Sequence, residues 1–399
     1  MPFFVIIFLV GDLKMSCKKV IVSLFAFTLL FVGCKSAHFQ TSLSDDVSAE
    51  EILAGLSLNE KIGQLFVISP DQLDLEISLN DVMSVKSVPH TFMSFQMEKT
   101  YSDYPAGGFI LFAKNIKNPR QLKNFTRQIK SVSKVRPIIS IDEEGGRVVR
   151  IAKNNRFPVI NVGPMQDIGK TGDIDYARRV GEYIGSYLSE YGFTMNFAPV
   201  ADVNTNPENI VIGDRAFGSE PEKVSEMVGA FLQGLHSKGI AGCIKHFPGH
   251  GDTKDDTHAD YVEVRKSWAE LQNCELIPFK NNLKLADSVM LAHVTLSALG
   301  PDSLPCSLSK DVVTGKLRKE MGFEGLILTD ALAMGAIEKN YGSEKAAVLA
   351  IEAGNDILLM PYDYKAAYKA VVDAVITGKI PEERINESVL RILRFKGYR

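Results

Sequence analysis

The densest cluster of potential catalytic side chains lies in one loop, residues 245–258, whose sequence KHFPGHGDTKDDTH holds three histidines and three aspartates. The loop follows an apolar run at residues 239–244, which is typical of a short buried strand. Pro248, Gly249 and Gly251 favour turns in the backbone. So many titratable groups in one turn-rich segment indicate a functional site rather than a solvated loop.

Two kinds of chemistry fit this loop. In the first, His258 and Asp256 form an acid/base pair, while Lys245 and His246 bind a polar substrate. In the second, His246, His250 and His258 bind a metal ion together with an aspartate. A spacing of His-x3-His suits a metal when both residues lie on one face of a helix. The proline and glycines make a helix improbable here, so we expect no metal.

The elements that must position the loop form a repeating pattern from residue 50 onward. Apolar runs typical of buried strands lie at residues 64–68, 108–112, 137–141, 194–198, 240–244, 288–292, 326–329 and 356–360. Helical patterns lie between most of them, at residues 121–132, 176–191, 223–238, 267–285, 310–321 and 345–353. This alternation predicts a (β/α)8 TIM barrel as a single catalytic domain, with a doubly wound sheet as the alternative. Residues 71–104 show no clear periodicity and are predicted to be an insertion.

Polar residues follow the predicted strands at the point where each strand ends. Asp142 follows the third strand, Asp202 comes shortly after the fourth, the 245–258 loop follows the fifth, and Asp330 follows the seventh. Barrels of this type place their active sites at the carboxyl ends of the strands. The pattern therefore favours the barrel and places the candidate site at that end.

Composition limits the class of protein. The chain has 399 residues, of which 45% are hydrophobic and 23% charged, with a net charge of -3. These values are typical of a globular protein with a large core. Because there is no basic excess, we expect no nucleic-acid partner.

The first 36 residues are predicted to be an export signal rather than part of the fold. A basic start at residues 15–19 precedes an apolar run at residues 20–32, and residues 1–14 form a second apolar stretch for which Met15 is an alternative start. Small residues before Cys34 resemble the bacterial lipobox, with Phe31 in place of the usual leucine-like residue. The resemblance implies cleavage before Cys34 and its lipidation, and the alternative is an uncleaved anchor. Residues 37–49 are predicted to be a linker.

The remaining cysteines are Cys243, Cys274 and Cys306. An odd number without regular spacing predicts no disulfide framework.

Three motifs together resemble a known family. They are DEEGGRVVR from Asp142, KHFPGHGD from Lys245 with the DTH that ends at His258, and LTDALAM around Asp330. Over residues 50–399 the chain resembles glycoside hydrolase family 3, specifically its β-N-acetylglucosaminidase branch. The resemblance implies that Asp330 is the nucleophile and that His258, paired with Asp256, is the acid/base. It also implies a set of sugar-binding residues, namely Asp142, Arg150, Arg215, Lys245 and His246.

Two positions depart from the family pattern. Glu143 replaces the usual glutamine, a change that can shift substrate preference, and Ala331 follows the nucleophile where aspartate is frequent.

Each assigned residue also has a structural alternative. Asp330 could cap a helix beginning at Ala331. Arg150 and Arg215 could form ordinary ion pairs, and Asp142 could brace the turn at residues 145–146.

The expected function is that of a retaining β-N-acetylglucosaminidase without a cofactor, acting on peptidoglycan fragments or related glycans outside the cytoplasm. A carbohydrate substrate and, through Cys34, a bacterial membrane are the expected partners. A β-glucosidase or β-xylosidase of the same family and a non-catalytic sugar-binding lipoprotein are the alternatives.

Overall fold

The computed structural model describes residues 47–84, 89–253, 262–299 and 304–399. Three residues assigned above, Asp256, His258 and Cys34, lie outside these ranges. The strands, numbered in chain order, are β1 (Phe66–Ile68), β2 (Gly108–Ile110), β3 (Ile138–Ile141), β4 (Met195–Asn196), β5 (Ala241–Phe247), β6 (Val262–Val264), β7 (Ser288–Leu291), β8 (Val294–Leu296), β9 (Leu326–Thr329) and β10 (Leu358–Leu359).

Eight of these strands form one parallel sheet in the order β10-β1-β2-β3-β4-β5-β7-β9. A parallel bridge between Leu328 of β9 and Ile357, directly before β10, joins the two edges of the sheet. The strands therefore close into a barrel, and the predicted (β/α)8 fold is confirmed. Seven of the eight predicted apolar runs contain one of these strands, and the run at residues 240–244 covers the first part of β5.

The helices surround the barrel. The α-helices are α1 (Ala49–Ala54), α2 (Leu58–Gln64), α3 (Leu79–Met83), α4 (Phe95–Asp103), α5 (Pro119–Val132), α6 (Met165–Thr171), α7 (Ile174–Glu190), α8 (Pro221–His236), α9 (Trp268–Gln272), α10 (Ile277–Asn282), α11 (Gly335–Ala353), α12 (Tyr364–Ile376) and α13 (Glu382–Phe395). Short 3-10 turns occur at Pro70–Leu73, Ala113–Asn115, Gly213–Arg215, Ser297–Leu299 and Cys306–Leu308, and Asp311–Glu320 is a π-helix.

The sequence accounts for both kinds of element. Strands β1, β3, β7 and β9 are buried at every residue, as expected for parallel strands covered on both faces. Helix α5 shows the amphipathic alternative: Leu122, Phe125 and Ile129 are buried at helical spacing on one face. The side chain of Asn118 accepts a hydrogen bond at the amino end of α5, and Pro119 occupies its first turn.

The structure differs from the predicted elements in several places. No helix was predicted at the positions of α1, α2, α6, α12 and α13. Residues 267–285 hold two short helices, α9 and α10, instead of one, and Pro278 in the first turn of α10 lacks the N–H that a continuous helix needs. The 71–104 insertion contains α3 and α4, for which the sequence shows no periodicity. Strands β6 and β8 pair in a separate two-stranded sheet that the sequence pattern does not predict.

The insertion is fastened to the carboxyl end of the barrel by a buried carboxylate. Asp71 accepts hydrogen bonds from the backbone N–H and the Nδ1 of His90, at 3.1 and 2.9 Å, and from the Nδ2 of Asn115 at 3.1 Å. The hydrogen bond that His90 donates to Asp71 raises the pKa of His90, and Asp74 on its other nitrogen adds to this effect. These contacts hold the insertion against the segment that follows β2.

Two further findings concern the described part of the chain. Across these residues, no helix is both long enough and apolar enough to span a bilayer. Cys243, Cys274 and Cys306 are free thiols.

Candidate active site

The end of β5 carries two of the predicted site residues, Lys245 and His246. Strand β5 pairs with β7 in parallel, and the register shifts between Lys245 and Phe247. Such an irregularity re-aims successive side chains and is common beside active sites. The side chain of Lys245 is 3% exposed, so its ammonium group is buried at the carboxyl end of the barrel.

Lys245 joins two carboxylates from the segment after β3. Its Nζ lies 2.9 Å from the Oδ1 of Asp142 and 2.6 Å from the Oε1 of Glu144. Arg215 donates from Nε and Nη2 to the two oxygens of Glu144, both at 2.8 Å. Arg150 donates from Nη2 to the Oδ2 of Asp142 at 3.3 Å. Four of the predicted sugar-binding residues therefore meet in one charge network, and Glu144 is its centre.

The charges in this network stabilise one another. Burial raises the pKa of Glu144, but Arg215 and Lys245 outweigh burial and hold it well below its usual range. Burial lowers the pKa of Lys245, but Asp142 and Glu144 outweigh it and raise the value. Glu144 and Lys245 are thus charged at neutral pH, which fixes their positions before any ligand binds.

His246 is held by a buried aspartate that follows β4. Its Nδ1 lies 2.7 Å from the Oδ2 of Asp202, and its Nε2 lies 3.4 Å from the Nη2 of Arg215. The other oxygen of Asp202 accepts the backbone N–H of His250 at 2.6 Å. Asp202 therefore orients the ring of His246 and fixes the first turn of the loop that follows it.

Asp330 follows β9 directly, and its Oδ1 accepts the backbone N–H of Ala331 at 2.7 Å. Burial raises the pKa of Asp330, but the charges of His246 and His293, that N–H and Lys245 lower it below its ordinary value. The carboxylate is therefore ionised at neutral pH. Helix α11 begins at Gly335 with Met334 at its N-cap, so the alternative in which Asp330 caps a helix is wrong.

A comparison with known protein families identifies the family of the chain. Residues 57–395 match the glycosyl hydrolase family 3 N-terminal domain. The chain belongs to glycosyl hydrolase family 3.

Several family 3 proteins are similar to this chain over most of its length. Beta-hexosaminidase A of Pseudoalteromonas piscicida is 34% identical over 75% of this chain. The beta-hexosaminidase of Nitrosomonas eutropha is 36% identical over 71% of the chain and 83% of its own length. A solved family 3 beta-N-acetylglucosaminidase from Paenibacillus sp. FPU-7 is 37% identical, with a TM-score of 0.77 over 86% of the chain. The chain spans only 55% of the Pseudoalteromonas protein and 62% of the Paenibacillus structure.

Three residues that the sequence analysis did not assign lie in or beside the candidate site. They are Glu144, Asp202 and His293. His293 comes shortly after β7; its Nε2 donates to the carbonyl oxygen of Ala331 at 2.9 Å, while its Nδ1 meets the hydroxyl of Ser307 at 2.8 Å. Each of the three follows a predicted strand, and this position was the signal that could have identified them. Sequence alone does not show which of the residues that follow the strands contact one another.

The structural alternatives for the other residues can now be compared with their contacts. Both contacts of the Asp142 carboxylate go to charged side chains, Lys245 and Arg150, rather than to the turn at residues 145–146. Arg215 forms a bidentate ion pair with Glu144, so the ion pair expected in the structural alternative is present. Arg215 also lies beside His246, which places it in the cluster of candidate site residues.

Glu143 is buried, and its carboxylate contacts the backbone of residues 150–152 and the hydroxyl of Tyr187. Any influence of Glu143 on substrate preference must therefore pass through that turn.

Two features lie apart from the cluster. A cavity of about 410 Å³ is lined by residues at the amino ends of the strands, including Ile138 and Ala241, and so belongs to the opposite face of the barrel. Within the described ranges, no three histidine, cysteine or acidic side chains converge as metal ligands. Because His258 lies outside those ranges, the absence of a metal stays a prediction.

Proposed function

We propose that this family 3 chain is a retaining β-N-acetylglucosaminidase that removes terminal N-acetylglucosamine through a covalent glycosyl-enzyme. The observation that carries the proposal is the partly buried carboxylate of Asp330, which directly follows β9 and whose pKa is lowered by the nearby charges of His246, His293 and Lys245. Retention requires such a carboxylate as the nucleophile. The names of the relatives, beta-hexosaminidase and beta-N-acetylglucosaminidase, support the choice of sugar.

In the first step, an oxygen of Asp330 attacks the anomeric carbon while the bond to the leaving-group oxygen breaks. His258 donates a proton to that oxygen, and Asp256 stabilises the correct tautomer of the imidazole. In the second step His258 removes a proton from water, the water oxygen bonds to the anomeric carbon, and Asp330 departs. The roles of His258 and Asp256 rest on the sequence motif.

The cluster around Lys245 is suited to bind a neutral, hydroxyl-rich ring. Asp142 supplies acceptor atoms, and Arg150, Arg215 and Lys245 supply donors. Among the described residues no acceptor meets the buried Nε of Arg150, so its Nη2 is the guanidinium nitrogen whose hydrogen bond to Asp142 holds this side chain in the cluster. His246 lies between this network and Asp330, where we propose that it contacts the sugar.

Hydrolysis of matched aryl glycosides tests the proposed sugar specificity. A site that hydrogen-bonds the acetamido group rejects sugars lacking it, because its own polar atoms are left unpaired. We expect kcat/KM for the β-N-acetylglucosaminide to exceed that for the β-glucoside by at least about 100-fold, which corresponds to about 2.7 kcal/mol. Comparable rates, or a preference for the glucoside or xyloside, would instead establish the alternative family activity.

Trapping with a slow fluorinated glycoside tests the nucleophile. Peptide mapping should place the adduct on Asp330, and Asp330→Asn should form none while keeping the wild-type melting temperature. An adduct on another residue would reassign the nucleophile. A wild-type protein that binds N-acetylglucosamine but cleaves no glycoside would support the non-catalytic alternative.

We further propose that the chain is exported, lipidated at Cys34, and acts on peptidoglycan fragments outside the cytoplasm. The lipobox-like sequence before Cys34 supports this localisation. Cells expressing the full chain with an azide-labelled palmitate should incorporate label into the wild type, and Cys34→Ser should be released unlabelled. Membrane retention of Cys34→Ser would point to an uncleaved apolar anchor. Release of free N-acetylglucosamine from muramidase-digested peptidoglycan tests the substrate.

A further inference from the structure

Glu143 is a fully buried carboxylate whose contacts differ from those of the charged residues around it. It follows Asp142 at the end of β3 and is 0% exposed. Its main chain is fixed by Asn196 of β4, whose side chain accepts the N–H of Glu143 at 3.0 Å and donates to its carbonyl oxygen at 2.9 Å. The backbone position of Glu143 is therefore set by the barrel itself.

The carboxylate receives four hydrogen bonds from neutral groups. Its Oε2 accepts the backbone N–H of Arg150 at 2.6 Å and of Ile151 at 3.0 Å. Its Oε1 accepts the backbone N–H of Ala152 at 2.8 Å and the hydroxyl of Tyr187 at 3.0 Å. Three successive N–H groups thus converge on one anion, an arrangement that stabilises negative charge in backbone turns.

Both oxygens of Glu143 act as acceptors, and this requires a carboxylate. A glutamine of the same shape would place an NH2 group where two N–H or O–H donors now point. At least one backbone N–H would then be buried without an acceptor, which is more costly than the loss of an ordinary hydrogen bond. Burial, followed by the charge and hydrogen bond of Glu143, raises the pKa of Tyr187 well above its ordinary value, so its hydroxyl remains a donor.

The turn that Glu143 holds is the one from which Arg150 projects into the site. The Nη2 of Arg150 reaches Asp142, and its guanidinium carbon lies 5.8 Å from the centre of the Phe112 ring. Its ion pair with Asp142 is long, at 3.3 Å, and its buried Nε meets no acceptor among the described residues. These side-chain contacts are few, so the direction of the guanidinium depends on the backbone of its own turn.

We propose that Glu143 is the positioning residue for Arg150, using both carboxylate oxygens to fix the turn at residues 150–152 and so aim the guanidinium at the bound substrate. This inference rests on the proposed function, in which Arg150 holds the sugar. Glu143 itself does not touch the substrate and acts only through Arg150.

A double-mutant cycle tests the proposal, with kinetics measured on whichever aryl glycoside the wild type cleaves best. Because the cycle compares variants on that one substrate, it stays informative even if the sugar preference differs from the one proposed. Glu143→Gln should raise KM about 10-fold while kcat falls less than about 3-fold, since an interaction made in both ground and transition states is weakened. Arg150→Ala should give an equal or larger effect. In the double variant, Glu143→Gln should add less than about 2-fold to the KM of Arg150→Ala.

Glu220→Gln is the matched control, because Glu220 has a 67% exposed side chain and pairs with Lys223 near the start of α8. It should leave both kinetic constants unchanged. If Glu143→Gln does not fold, Glu143→Asp replaces it in the cycle, because it keeps the charge but withdraws the oxygens. Multiplicative effects of the two single changes, or a wild-type KM in the Glu143 variant, would overturn the proposal.

Discussion

The buried ion-pair network predicts a large and specific effect for Glu144→Gln. This change keeps the shape of the side chain, so it creates no cavity, but it removes the carboxylate that Arg215 and Lys245 share. The side chains of Glu144, Lys245 and Arg215 are 2%, 3% and 12% exposed. Water therefore cannot replace the lost charge.

Breaking a buried pair by removing one partner costs about 3–5 kcal/mol, because the other charge stays buried and uncompensated. Lys245 keeps Asp142 at 2.9 Å, so part of its compensation remains. Arg215 loses both of its 2.8 Å bonds to Glu144. We therefore expect the free energy of unfolding to fall by about 3 kcal/mol, at the lower end of that range.

Urea unfolding at pH 7, followed by circular dichroism, measures this loss. Glu220→Gln makes the same chemical change in an exposed pair and should cost less than about 1 kcal/mol. Arg215→Met introduced together with Glu144→Gln should cost less than the sum of the two single changes, because the double variant no longer buries an unpaired guanidinium. A loss for Glu144→Gln equal to that of the control, or strict additivity in the double variant, would refute the reasoning.

Three other changes have defined outcomes. His258→Ala should reduce kcat/KM at least about 100-fold on alkyl glycosides but far less on dinitrophenyl glycosides, whose departure needs no proton; equal losses would leave His258 only a binding role. Dialysis against EDTA should not change kcat/KM, because the proposed steps use no Lewis acid, and a loss restored by zinc would contradict this. Burial lowers the pKa of Lys396 to about 7 from an ordinary 10.5. Between these pH values the unfolded chain binds more protons, so the free energy of unfolding should rise with pH, and Lys396→Met should lose this rise in a pH series of urea titrations.

The barrel could be predicted because parallel strands covered on both faces are continuous apolar runs, and such runs stand out between amphipathic helices. The bounds of helices are harder to predict where a local feature such as a proline interrupts a helical spacing of apolar residues. Residues 267–285 have a helical pattern, yet a second helix begins at Ile277 with Pro278 in its first turn. Helix α4 in the insertion was missed because only three of its nine residues, Met97, Thr100 and Tyr101, are buried. Its apolar stripe is too narrow to stand out.

The candidate site was predicted in part for a related reason. Lys245 lies at the end of one strand and Asp142 follows another, and the rule that the carboxyl ends of the strands meet at one face brings them together. The carboxylate with which Arg215 pairs is determined by the path of the loop after β4. Residue spacing in the sequence does not show this path. Glu144 consequently remained unassigned although it stands two residues after Asp142. Glu143 shows the reverse case, because its sequence position suggests a role in the site while its side chain turns into the scaffold.

The first and last described elements of the barrel touch. The backbone N–H of Ala49 in α1 donates to the carbonyl oxygen of Arg399 at 2.5 Å, and Arg394 pairs with Glu50 at 2.7 Å. A ring of repeated units whose ends meet has no unique starting point, so a short flexible linker could join residue 399 to residue 48. New ends could then be opened in the exposed turn at residues 377–379 between α12 and α13. We therefore expect a chain that begins at a different one of the eight units to fold into the same barrel.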